Sequence, residues 1–214
     1  FHYTKQYELA ISDYSMVILL DSSYYPAYYN RGNAHSFLDK NVEAMADYTK
    51  AISLQPSAGE IWLARADLHS KLYNYEAALS DYEEALHLNP ADTNALNNRG
   101  LIYMEQKKYD PALKDFMEAL RINPRFLMAL NNRGNLYLQQ GKYELALKDF
   151  NEILRYDPAN TEAWDSRGNV FYSRGLNDSA MANFNYVLKL NPANTNALIN
   201  RGNTLLAMGK RGEA

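Results

Sequence analysis

Six arginines stand in one register along the chain: Arg31, Arg65, Arg99, Arg133, Arg167 and Arg201, each 34 residues after the last. A guanidinium offers five donors in a rigid fork and keeps its charge, so such a column suits a ladder for phosphate or an acidic peptide. A second column keeps the same period: Asp13, Asp47, Asp81, Asp115 and Asp149, with Asn183 as its sixth member. Two columns of opposite charge at one period point instead to ion pairs inside the chain, among them Arg99 with Asp115 and Arg133 with Asp149. On that reading Asn183 leaves Arg167 as the free member.

Other chemistry is sparse. Of the four histidines, His2, His35, His69 and His87, only His35 and His69 share the period. A metal held between those two has no evident third ligand, so packed histidines are expected and no metal or cofactor is implied. There is no cysteine, which excludes a disulfide framework, a thiolate site and a cysteine nucleophile, and fits a reducing, cytoplasmic compartment. No glycine-rich phosphate loop, paired-histidine metal motif or nucleophile elbow is present, so the chain is not expected to be an enzyme. The net charge of −3 speaks against a duplex nucleic-acid partner and an anionic membrane surface. No apolar run reaches membrane-spanning length and Phe1 opens no signal peptide.

The elements that carry these columns follow from the same period. Alanine recurs at Ala10, Ala44, Ala78, Ala112, Ala146, Ala180 and Ala214, without insertion or deletion. Four residues after each of the first six comes an aromatic: Tyr14, Tyr48, Tyr82, Phe116, Phe150 and Phe184. Proline closes the units at Pro56, Pro90, Pro124, Pro158 and Pro192. Ala112, Phe116, Ala119 and Leu120 form an apolar stripe at helical spacing, and Leu96, Gly100 and Tyr103 form another. Small residues after each arginine (Gly32, Ala66, Gly100, Gly134, Gly168, Gly202) let two helices approach closely. Proline stops the second helix. Asp92, Asn160 and Asn194 are placed to cap the next first helix, and Gly141, Gly175 and Gly209 fall at the turn between helices.

This pattern resembles the tetratricopeptide-repeat family, most clearly over Ala95–Pro124 with Gly100, Tyr103, Ala112, Phe116, Ala119 and Pro124. The resemblance spans residues 1–214 and implies an all-α, right-handed superhelical solenoid of antiparallel helix pairs. In the family's phase, 25–58, 59–92, 93–126, 127–160 and 161–194 are full repeats, and 1–24 and 195–214 are partial ones. A piece of a longer array is the expectation.

The resemblance also implies a concave groove lined by one face of every first helix. Carried onto this chain, that face presents Asn30, Asn33, Asn94, Asn97, Asn98, Asn131, Asn132, Asn135, Asn169, Asn200 and Asn203. An asparagine supplies one acceptor and two donors, which suits the main chain of an extended peptide. The run Asn30, Asn98, Asn132 and Asn200 is similar to the asparagine ladder in the repeats of O-linked N-acetylglucosamine transferase, broken here at Ala64 and Ser166. The resemblance therefore implies a protein-interaction scaffold with a protein or peptide ligand, and a solvated polar face is the competing reading. Tyr29, Phe37 and Tyr172 fall on the same face. The clamp that other members use for the acidic C-terminal tails of chaperones needs lysines that are absent here, so such a tail is not the expected ligand. A structural spacer, an array that self-associates through its ends, and the targeting arm of a larger enzyme are the alternatives.

Overall fold

The computed structural model describes residues 2–209, with side chains from Thr4 onward; Phe1 and the last alanine of the comb, Ala214, lie outside the described residues. Twelve helices and no strand occupy the described chain. They are α1 (His2–Leu20), α2 (Tyr25–Phe37), α3 (Asn41–Leu54), α4 (Gly59–Lys71), α5 (Tyr75–Leu88), α6 (Thr93–Glu105), α7 (Tyr109–Ile122), α8 (Leu127–Gln139), α9 (Tyr143–Tyr156), α10 (Thr161–Ser173), α11 (Asn177–Leu190) and α12 (Thr195–Ala207). Even-numbered helices from α2 onward are the first helices of their repeats, and odd-numbered ones are second helices. The chain forms two compact units that meet between Gln106 and Lys107, the first carrying α1–α6 and the second α7–α12.

Local chemistry sets the helix ends. Each second helix from α3 to α11 stops two residues before a proline, which has no N–H to continue it. The Asp92 carboxylate accepts from the N–H groups of Asn94 and Ala95 at the start of α6. Asn160 and Asn194 accept from Ala163 and Ala197 in the same way. Between first and second helix the chain turns through one residue of positive φ. Gly141, Gly175 and Gly209 fill that place in the later repeats, but Asp39 (56°), Tyr73 (61°) and Lys107 (58°) fill it in the earlier ones. The first of these turns closes with Lys40 N–H on the His35 carbonyl and Asp39 N–H on the Ser36 carbonyl, the paired bonds of a left-handed helix stop.

The comb is the core. Ala44, Ala78, Ala112, Ala146 and Ala180 are fully buried, and so are Phe116, Phe150 and Phe184. The glycines after Arg31, Arg133 and Arg167 admit the aromatic of the hairpin partner, while Ala66 holds the equivalent place after Arg65. A Cβ on Gly134 would stand 2.9 Å from the Phe150 ring, and one on Gly168 would stand 2.5 Å from the Phe184 ring.

Within each unit, successive first helices touch: α2 with α4 and α4 with α6, then α8 with α10 and α10 with α12. Within either unit, no such contact joins successive second helices among the described residues. Each unit is therefore tighter on its first-helix side, and that side is its concave face. No described helix is long and apolar enough to cross a membrane.

Candidate functional site

The arginine column does not face the concavity. Arg31, Arg65 and Arg133 each lay the guanidinium fork on the aspartate sixteen residues ahead, on the second helix of the same hairpin. Arg133 donates from Nε and Nη2 to Asp149 at 2.9 and 2.7 Å, Arg31 to Asp47 at 2.9 and 2.7 Å, and Arg65 to Asp81 at 2.7 and 2.8 Å. The three aspartates are buried. A bidentate, charge-assisted pair is the strongest form of this contact. Bonding to Asp47 and Asp149 raises the already high pKa of Arg31 and Arg133 against the burial that opposes it. The remaining nitrogen reaches sixteen residues back, to Ser15 from Arg31 and to Thr49 from Arg65. One side chain thus ties three helices together. Arg99 is in the first unit and Asp115 in the second, and both are engaged side chains.

Arg167 differs from the expectation that it is free. Its Nε donates to Asn183 at 2.9 Å, its Nη1 donates to Asn151 at 2.7 Å, and its guanidinium lies 4.2 Å from the Trp164 ring centre. The neutral amide keeps the acceptor and drops only the countercharge. Burial consequently lowers the Arg167 pKa. The two periodic histidines join the same contacts. His35 Nδ1 lies 3.0 Å from Asp47, and His69 Nε2 lies 3.9 Å from Asp81. Burial lowers the His69 pKa. Among the described residues no group of three or more metal-ligating side chains gathers.

The asparagines lie on the other side of the first helices. Asn30, Asn33, Asn98, Asn131, Asn132, Asn135, Asn169 and Asn200 are half-buried, and Asn94 and Asn203 are exposed. Asn97 departs from the expected groove face. It is 2% exposed and its Nδ2 points at Asn98 Oδ1, 3.2 Å away, so it has almost no surface to offer a ligand. Several of the others are not loose amides either. Asn98 Nδ2 donates to Asp67 Oδ1 on the preceding first helix at 3.0 Å. Asn131 Nδ2 donates to Glu162 at 2.6 Å, and Asn200 Nδ2 donates to both oxygens of Asp165 at 3.1 Å. Asn169 adds a longer bond to Asp165 at 3.3 Å, and Asn33 Oδ1 accepts from the Tyr48 hydroxyl at 2.8 Å. Asn132 is also engaged.

Asp67, Asp165 and Glu162 were the residues that the columns alone did not single out. A signal was present: an acid on the groove face of one repeat with an asparagine 31 or 35 residues away on a neighbouring repeat. Burial raises the Asp67 and Asp165 carboxyls above the usual aspartate range, against the hydrogen bonds that hold them down. Asp67 keeps an exposed flank all the same, so its shift weighs less than that of half-buried Asp165. Burial also pushes the Tyr48 phenol up to about 12. A cavity of about 470 Å³ opens on the concave side of the first unit, bounded by Asn33, Phe37, Tyr48, Asp67 and Lys71 among others. Lys71 is held at its rim by Asp39, 2.5 Å away.

Comparison with known families fits this architecture. Residues 25–58, 93–126 and 128–160 match the tetratricopeptide repeat, and residues 74–107 and 168–209 match a second description of the TPR repeat. The chain belongs to the tetratricopeptide-repeat family. No curated protein sequence matches it. Among solved structures it is similar to a tetratricopeptide repeat protein from Parabacteroides merdae, at 26% identity and a TM-score of 0.78 over 94% of this chain and 80% of that one. It also resembles PilF of Pseudomonas aeruginosa, at 21% identity and a TM-score of 0.75 over 90% and 87% of the two chains. YrrB, described as a TPR protein with an unusual peptide-binding site, matches at 20% identity and a TM-score of 0.71 over 87% and 96%. The fold is an all-α helical-repeat solenoid. TPR proteins are in general non-enzymatic scaffolds for protein–protein interaction, and the TPR arrangement here separates a packing side, held by arginine and aspartate, from a polar concave side.

Proposed function

We propose that the concave faces bind an extended peptide segment of a partner protein through the asparagines of the first helices. The observation that carries this reading is the bridging of neighbouring repeats by Asn98, Asn131 and Asn200. Such bridges fix the amides in place before a ligand arrives, which lowers the ordering cost of binding. Each main-chain hydrogen bond contributes only about 0.5–1.5 kcal/mol net, so affinity comes from several repeats acting together. Binding to an immobilised peptide library is the test. Changing Asn98 and Asn132 together to alanine is expected to weaken it roughly tenfold or more. Unchanged binding would remove the asparagines from the account.

A self-associating array is the second reading. It is favoured by exposed apolar side chains on α1 (Leu9, Met16, Leu19, Leu20) and α12 (Leu198, Ile199, Leu206). Light scattering across a concentration series separates the two. Growth in mass that also blocks peptide binding supports self-association, and a constant mass removes it.

A further inference from the structure

We infer that a peptide taken by either face is cationic, with an arginine or lysine side chain seated on Asp67 where the first unit binds it and on Asp165 where the second does. This rests on the concave-face reading and adds the class of partner. The Asp67 carboxylate has unused acceptor capacity. Both donors that reach Asp67, the Tyr82 hydroxyl at 2.5 Å and Asn98 Nδ2, go to Oδ1. Oδ2 has no hydrogen-bond partner among the described residues, and the side chain lines the 470 Å³ cavity. Asp165 receives only the neutral amides of Asn169 and Asn200. Neither carboxylate has a counter-ion among the described residues. A partly desolvated charge without a partner is unfavourable, and an incoming cation supplies the missing term.

The remaining charges on the face have the same sign. Glu60, Glu105 and Glu162 occupy its other charged positions, and Lys71, the lone basic residue there, is already taken by Asp39. An acidic segment would meet repulsion on the face of either unit. A neutral one would bury the carboxylates further without compensating them. The Phe37 ring at the cavity wall is 61% exposed and stacks on Tyr7 at 4.0 Å, leaving an aromatic surface beside the carboxylate against which a guanidinium can pack. The hairpins of the same chain already use this chemistry, with arginine forks on aspartate. The concave face holds the aspartates and lacks the arginines.

Fluorescence anisotropy of the full chain tests this, with a labelled dodecapeptide of alternating serine and arginine beside counterparts that carry glutamine or glutamate for each arginine. The expected order of affinity is arginine, then glutamine, then glutamate. Asp67→Asn with Asp165→Asn is expected to lower arginine-peptide affinity about tenfold or more, the weight of two charge-assisted bonds, and to leave glutamine-peptide affinity unchanged. Asparagine at 67 keeps the Oδ1 acceptor for Tyr82 and Asn98, so the fold is retained. Glu83→Gln with Glu84→Gln, at exposed positions on the second helix α5, should change neither. Asp67→Lys with Asp165→Lys should reverse the preference toward the glutamate peptide. Equal affinity for the arginine and glutamine peptides would overturn the charge inference and leave the concave-face reading standing. An equal loss in the Glu83 and Glu84 variant would show diffuse attraction and overturn it too. If none of the three peptides binds, both readings fail.

Discussion

Where α8 meets α9, Asp149 is buried and both its oxygens are taken by the Arg133 fork. Where α10 faces the concavity of the same unit, Asp165 is half-buried and receives only amides. The side chains are chemically identical, and their surroundings set their roles. One carboxylate has its charge cancelled inside the protein and acts as a tie between helices. The other is positioned but left without a cation, which makes it an acceptor for something outside the chain. A repeat protein can keep these roles apart because each helix meets only its neighbours, so packing and recognition fall on different sides of it.

The largest effect that separates the two sides is on stability. Asp149→Ala strands Arg133 against the second helix and is expected to cost roughly 3 kcal/mol in urea unfolding. The low end of the range applies because Arg133 keeps 20% of its side chain in water. Asp165→Asn should move stability by no more than about 0.5 kcal/mol, as for a change outside the packing core. Similar costs for both would erase the distinction. Next in size is the close approach that the packing side depends on. Gly134→Ala drives a methyl to 2.9 Å from Phe150 and is expected to cost about 1–3 kcal/mol by the same measurement. Ala66 already occupies the equivalent place opposite Tyr82, so a cost near zero would mean that the Phe150 ring shifts as easily as the second repeat has done.

A smaller gain is expected at the turns. Tyr73 holds a φ of 61° where later repeats use glycine, and Tyr73→Gly should stabilise by up to about 1 kcal/mol once the flexibility of glycine in the unfolded chain is subtracted. A thermal melt checks the sign. The smallest effect is a pH dependence confined to the concave side. Burial raises the folded carboxyls of Asp67 and Asp165 above their unfolded values. The folded chain therefore binds more protons between the two values, and stability falls as pH rises through that window. The stabilising contribution is complete below the ordinary aspartate range and is lost above the raised one. Asp165→Asn should flatten this slope in urea titrations across the mildly acidic range, and Asp67→Asn should do so less because that residue is more open to water.

The fold was legible because the repeat is strict. Ala146, Phe150 and Gly134 sit in the core for reasons of size that a 34-residue comb reports directly. The hairpin ties were legible for the same reason, since Arg133 and Asp149 keep one spacing. The fate of Arg167 was not, because an asparagine accepts a hydrogen bond as well as an aspartate does, and loss of charge does not mean loss of contact. The concave side was legible only by position. That Asn97 turns inward while its neighbour Asn98 reaches Asp67 depends on how adjacent repeats pack, and a single column carries no record of its neighbours. The bridges are pairs between columns, 31 or 35 residues apart, so they vanish when each column is read alone.

Side-chain amide resonances of the isotopically labelled protein give the most direct test, recorded while the arginine dodecapeptide is added. The Nδ2 signals of Asn98 and Asn200 are expected to shift in step with the anisotropy signal, while backbone signals of the second helices α5 and α9 stay still. Shifts concentrated on α5 and α9, with Asn98 and Asn200 unmoved, would place the ligand on the packing side and contradict it.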